Sequence, residues 1–413
     1  MTKKVTLKIQ SLAPLGDGVS TADAQFYYVP GAIPGDLVEV EIAKTDKRGV
    51  HTKLLQIVEP SPHRRIPDCP LHNVCGGCSL LHADEAIQRQ AKTENLARQF
   101  ARQSVPFVST GPALGYRRLA RLHARRQSNG QVAVGFFGRR GNNIVEIDHC
   151  PVLEPQISSI LPDLKAELFQ HLNTAAIRIS SGMEGVFLSI DTDTPLPPAF
   201  YNAAAAAVPR LVQGIVVEWE GISTTVAGSD TLTLQTGHKH RVVLPAGGFG
   251  QANAYINQVL TAAVNRWIEQ SDAQTAIELY AGAGNFSVLF AHRLKQLTLV
   301  ELDPRACNAA KQNFAATPHV RILCEDALQG YLSEGTRAEL VLLDPPRTGA
   351  KELAAAMAVQ SHREIVYVSC NPGTLKRDVA ILQTGGYTLN ELIGFDMFPQ
   401  TPHLEAAARL TKK

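Results

Sequence analysis

From Gly247 onward the chain alternates short apolar runs with helical stretches, and this alternation limits its fold more than any other feature. The runs TAIELYA, LTLVELD, VRILCED, LVLLDPP and IVYVSCNP are each followed by a helical or loop segment. Apolar strands of this length separated by helices predict a doubly wound α/β sheet with parallel strands. Ligands of such sheets bind beyond the carboxyl ends of the strands, so the residues that end each run are the first candidates for chemistry.

Those ends carry acids. TAIELYA leads into Gly282-Ala283-Gly284-Asn285-Phe286, where glycines let a backbone approach a ligand, although Ser287 replaces the third Gly of the dinucleotide fingerprint. Glu301, Glu325-Asp326 and Asp344-Pro345-Pro346-Arg347 end the next three runs. Glu301 lies where an acid accepts hydrogen bonds from ribose hydroxyls, whereas the alternative role for such acids is to cap the next helix. No G-x-x-x-x-G-K-[ST] loop is present to hold a triphosphate. An adenosine cofactor without a phosphate chain fits better, which favours S-adenosylmethionine over ATP or NAD.

Cys370 follows the apolar strand IVYVS and precedes Asn371-Pro372. A thiol there is either a nucleophile or a small buried apolar side chain. Methylation at C5 of uracil needs such a nucleophile, because C5 attacks a sulfonium methyl only after a thiolate has added at C6. A base must then remove the C5 proton. Glu405, in the closing segment FPQTPHLE, is the candidate base, and a surface glutamate is the alternative.

Upstream, residues 1–59 read as short strands between turns at Gly16-Asp17-Gly18 and Pro34-Gly35-Asp36, the pattern of a small antiparallel β-barrel. Residues 60–245 form a second unit, mostly of period two, and residues 246–413 the sheet domain. Within the middle unit, HADEAIQRQAKTENLARQFARQ predicts a helix over about 83–104 that packs on the sheet domain. Cys69, Cys75 and Cys78 make C-x5-C-x2-C, with Cys150 far downstream. Four thiolates can bind Zn²⁺ or a [4Fe–4S] cluster, and spacing alone does not choose.

The chain has 7 cysteines, neither a secretory pattern nor a long apolar span, and a net charge of +2. A reduced cytoplasmic setting without membrane insertion is expected. Arg117, Arg118, Arg121, Arg125, Arg126, Arg139 and Arg140 cluster with no acid among them. They predict either a phosphate-binding surface or a solvated strand face.

These segments together resemble the RNA uracil-C5 methyltransferases that make 5-methyluridine. The resemblance spans nearly the whole chain: YVPGAIPGD, CPLHNVCGGCSLLH, GYRRLARLHARR, FGQANAYINQ, ELYAGAGNFS, LLDPPRTGA, YVSCNPGTLKRD and DMFPQTPHLEAA. It implies a TRAM-type RNA-binding barrel, a β-rich iron–sulfur unit and a Rossmann-like methyltransferase domain. It implies Cys370 as nucleophile, Glu405 as base, and Gln251, Tyr280, Asn285, Glu301, Asp326 and Asp344 around S-adenosylmethionine. It also favours a [4Fe–4S] cluster over zinc on Cys69, Cys75, Cys78 and Cys150, with His72, His82 and His149 as bystanders. Ribosomal RNA (23S) is the expected partner and the T-loop of transfer RNA the alternative, for a monomer with no obligate protein partner. The rival readings are an inactive RNA-binding iron–sulfur protein and a methyltransferase acting on an amine or protein side chain.

Overall fold

The computed structural model describes residues 3–139 and 141–412. An eight-stranded sheet runs, edge to edge, Val320–Cys324, Gln296–Glu301, Thr275–Leu279, Leu340–Leu343, Glu364–Ser369, Glu405–Lys412, Tyr387–Phe395 and Phe107–Val108. The first five strands are parallel, and Glu405–Lys412 inserts antiparallel to Glu364–Ser369. Alternate side chains serve opposite layers. Ile277, Leu279, Val341, Leu343, Ile365 and Tyr367 pack with Leu353 and Leu375 on one face. Ala276, Leu340, Leu342, Val366 and Val368 pack with Leu260, Trp267 and Phe290 on the other. Each large aliphatic side chain so buried contributes about 1.5–3 kcal/mol. Both faces being covered is why these strands read as unbroken apolar runs.

The chain leaves Thr275–Leu279 for one side of the sheet and later returns to its other side, so the crevice of the switch point opens above that strand.

Residues 4–59 form a six-stranded sheet around Leu7, Val29, Val38, Val40 and Val50. A seven-stranded sheet occupies residues 119–228, followed by the hairpin of Thr231–Thr236 and His240–Pro245. This middle region also holds helices, including Pro198–Ala207, into which the alanine run falls.

The helix expected over about 83–104 is shorter, spanning Glu85–Gln99. Asp84 sets its start by accepting the Ile87 N–H at 2.9 Å. Its end falls at Phe100, after which Ala101 turns to φ 51° and the Arg102 N–H donates to the Ala97 carbonyl at 3.0 Å. No glycine marks this stop, so periodicity ran past it. Leu96 and Ala97 join the core of the eight-stranded sheet, Ala91 packs with Leu12 and Leu80, and Ile87 with Ile33 and Ala83. One helix therefore packs against both the amino-terminal region and the eight-stranded sheet.

Candidate active site

Ser369 and Ala406 are register partners at the end of two antiparallel strands, so Cys370 and Glu405 stand at the next position outward. Glu405 is 3% exposed. Burial pushes the half-buried Cys370 thiol up to about 11, reinforced by the charges of Glu405 and Asp344 and opposed by Arg347. Burial, then the charge of Asp344, holds the Glu405 carboxyl well above the usual range. Asp344, which ends Leu340–Leu343, is pushed by burial up to about 7, while the Gln251 amide donates to its Oδ2 at 3.1 Å and works the other way. Each carboxylate raises the cost of ionising the other, so the two do not both ionise cheaply.

The loop after Thr275–Leu279 is shaped by backbone that other residues resist. Tyr280 takes φ 59°, and Gly284 takes φ 94° where a Cβ would stand 2.5 Å from the Phe314 ring. The Gly282 N–H donates to Glu301 Oε2 at 2.9 Å, and Glu301 Oε1 accepts the N–H groups of Leu302 and Asp303 at 2.8 Å each. Glu301 thus binds its own strand end to the glycine loop. Gln251, Tyr280, Asn285 and Asp344 line one narrow cavity of about 30 Å³ with Arg118, Phe249 and Glu278.

Two predicted residues have other partners. Asp326 is the N-cap of Ala327–Glu334, accepting the N–H groups of Leu328 at 2.9 Å and Gln329 at 3.3 Å. Its charge also acts on Tyr280, so it borders the same edge without lining the cavity. Asn285 Oδ1 accepts from Thr236 and Asn257, and its amide donates back to Asn257 at 3.0 Å. Its side chain fixes the loop to the hairpin and to helix Ala254–Gln270.

Glu278 escaped the sequence reading. It is 2% exposed, accepts the Ser287 hydroxyl, and is pushed by burial up to about 8. The available signal was an acid inside the otherwise apolar strand TAIEL.

Several clustered arginines turn out to be scaffolding. Arg118 is buried, donating to the carbonyls of Gln251 at 2.9 Å and Gln235 at 3.3 Å. Arg126 donates to the carbonyls of Gly130, Gln170 and Leu172, and Arg139 to those of Cys75 and Cys78. Arg140 lies outside the described residues.

The segment leading to Glu405 is gripped from far upstream. Lys92 Nζ lies 2.5 Å from Asp396 Oδ1 and 3.0 Å from the Phe398 carbonyl. Gln400, at φ 68°, exchanges hydrogen bonds with Gln88, and its Oε1 also accepts from Arg65 at 2.7 Å. The Tyr116 hydroxyl donates to the Pro399 carbonyl at 3.0 Å, and the Leu80 N–H to the Gln400 carbonyl at 2.9 Å.

Cys69, Cys75, Cys78 and Cys150 line one cavity of about 370 Å³, which also reaches Thr401 of the closing segment. Burial pushes Cys78 up to about 12, with Cys150, Cys75 and Cys69 each adding to the effect. Among the described residues, no three His, Cys, Asp or Glu side chains converge as ligands of a single metal ion.

A family model described as tRNA (Uracil-5-)-methyltransferase matches residues 229–324 and 325–413. The chain is 31% identical to the 23S rRNA (uracil(1939)-C(5))-methyltransferase RlmD of Pseudomonas putida, over 98% of this chain and 93% of that protein. It is 30% identical to the protein of the same description from Shewanella amazonensis, over 99% and 96%. In fold it is similar to the Pyrococcus abyssi tRNA (uracil-54, C5)-methyltransferase crystallised with S-adenosyl-L-homocysteine. The TM-score is 0.76 at 23% identity, covering 98% of this chain and 100% of the other. With relatives alike from end to end, and a family model over the part that carries Cys370 and Glu405, the chain belongs to the RNA uracil-C5 methyltransferase family.

Proposed function

We propose that this protein transfers the methyl group of S-adenosylmethionine to C5 of a uridine in RNA, with Cys370 as nucleophile and Glu405 as base. The observation that carries this reading is the strand register that seats a half-buried thiol next to a buried carboxyl, with Asp344 and Gln251 behind them. An acceptor amine or side chain would need no such thiol, and an inactive binding protein would have no use for the whole arrangement.

S-adenosylmethionine supplies the electrophilic methyl. Gln251, Tyr280, Gly282 and Asp344, which line the cavity, and Glu301, bonded to the Gly282 N–H, would hold this donor. Glu301 would accept from the ribose hydroxyls, and Gln251 would hold Asp344 in place. A cationic donor favours the ionised forms of Asp344 and Glu405. Cys370, once it has lost its proton, adds at C6 and sends the electron pair toward C5. After C5 has taken the methyl, Glu405 removes the remaining C5 proton, the C5=C6 bond re-forms, and the Cys370 sulfur leaves as thiolate.

Four thiols lining one cavity suit a [4Fe–4S] cluster, which takes four thiolate ligands. Cys69, Cys75, Cys78 and Cys150 would hold it, in a structural role that braces the closing segment through Leu80 and Thr401. The amino-terminal sheet would grip RNA as a TRAM-type barrel. No helix among the described residues is long and apolar enough to cross a membrane. We assign the protein to the cytoplasm, where these thiols stay reduced, and as a monomer.

The relatives near 30% identity favour ribosomal RNA, with the T-loop of transfer RNA as the second reading. Methylation of 23S rRNA and of transfer RNA transcripts, followed by mapping of 5-methyluridine, tests this. Product in 23S rRNA alone is expected, and product in transfer RNA alone would reverse the assignment.

A further inference from the structure

Two cysteines lie outside both the cysteine-rich cavity and the catalytic centre. Cys307 is buried in the first turns of helix Pro304–Asn313, and Cys324 is exposed at the end of strand Val320–Cys324. The sheet register pairs Cys324 with Glu301. The Cys307 thiol donates to the Glu301 carbonyl at 3.3 Å and the Cys324 thiol to the Leu302 carbonyl at 3.9 Å. Two sulfurs anchored on the consecutive carbonyls of residues 301 and 302 are neighbours, and Cys324 helps to push the Cys307 thiol upward.

We infer that Cys307 and Cys324 form a dithiol that a small-molecule disulfide converts to a Cys307–Cys324 disulfide, weakening the hold of Glu301 on the cofactor. The loss of affinity rests on the reading of Glu301 as a cofactor contact; the bond itself does not. Burial and the neighbouring sulfur push Cys307 up to about 12, which leaves the exposed Cys324 as the thiol that reacts first. Its thiolate attacks the small disulfide and releases one thiol. The Cys307 sulfur then attacks the Cys324 sulfur and releases the second. The protein loses two protons and two electrons, and the reagent gains them as two thiols.

The consequence follows from what the sulfurs now do. A disulfide removes both S–H donors from the carbonyls of residues 301 and 302 and draws the first turn of the helix toward the neighbouring strand end. Glu301 is held by the N–H groups of Leu302 and Asp303, at the base of that same turn, so its carboxyl must move with them.

The test uses the full chain in its holo form, incubated with glutathione disulfide, then alkylated and digested without reduction. Expected are a Cys307–Cys324 linked peptide and roughly ten-fold weaker binding of S-adenosylhomocysteine by calorimetry. Dithiothreitol should restore both, and neither should appear in Cys324→Ser, which in reduced buffer should bind like the parent. Glutathione on Cys324 without the linked peptide would overturn the dithiol, and a linked peptide with unchanged affinity would overturn the coupling. Reduced protein that binds no S-adenosylhomocysteine would overturn the cofactor reading and the coupling together, while the linked peptide would still decide the dithiol.

Discussion

Lys92 and Asp396 form an ion pair of 2.5 Å across more than three hundred residues of chain, with the lysine side chain 1% and the aspartate side chain 10% exposed. Burial lowers the affinity of Lys92 for its proton and Asp396 restores part of it. Removing one partner leaves the other charged in a dry site. Lys92→Met should therefore destabilise the protein by about 3–5 kcal/mol, read by chemical denaturation. Lys92→Met combined with Asp396→Leu should recover most of that loss.

Cys370→Ala should lower methyl transfer by about a thousand-fold or more, with binding of S-adenosylhomocysteine unchanged, since the thiol lies outside the cavity bordered by Tyr280 and Gln251. Turnover assays with labelled donor, beside calorimetry, separate the two effects. Full turnover by this variant would end the covalent scheme.

Glu405→Gln keeps the shape of the base and removes its basicity. Methyl transfer should stall before C5 deprotonation, leaving RNA attached to Cys370 as a complex that survives denaturing electrophoresis, with turnover down by about 10²–10⁴-fold. RNA carrying 5-fluorouridine should trap the wild-type protein in the same way.

Glu278, at about 8, and Asp344, at about 7, have folded-state pKa values raised by burial. Between the unfolded carboxylate range and those values the native state holds more protons on these two groups than the unfolded state, so their contribution to the stability of the ligand-free protein falls as pH rises from about 4 to 8. Glu278→Gln should remove part of that slope. The variant should gain about 2 kcal/mol over the parent at pH 8 and little at pH 5, as read by denaturation at the two values.

Anaerobic purification should give a brown protein with about four irons per chain, and Cys78→Ser should lose both colour and iron. Stoichiometric zinc without iron would replace the cluster assignment.

The sheet domain was legible because strands covered on both faces are apolar at nearly every position, as the strand interiors of TAIELYA, LVLLDPP and IVYVSCNP are apart from Glu278. The position of Cys370 at a strand end followed from the same rule. Its nearness to Glu405 did not, because that depends on Glu405–Lys412 inserting antiparallel beside Glu364–Ser369, a pairing that no local pattern encodes. Arg118 shows the opposite limit. Charge density placed it either on a phosphate-binding surface or on a solvated strand face, whereas its surroundings make it the brace of Gln251. For Asp326 the capping alternative is seen directly, as a short polar residue before a helix is also its natural N-cap.

The grip of Gln88 and Lys92 on residues 396–400 ties catalytic competence to the order of synthesis. During translation the helix Glu85–Gln99 leaves the ribosome long before the strand that begins with Glu405, so the first third of the chain waits as a template for the last. A growing chain can form the five parallel strands and still lack Glu405, which opens the last strand to be made. On the proposed mechanism, activity is expected only once the final segment has docked on Gln88 and Lys92.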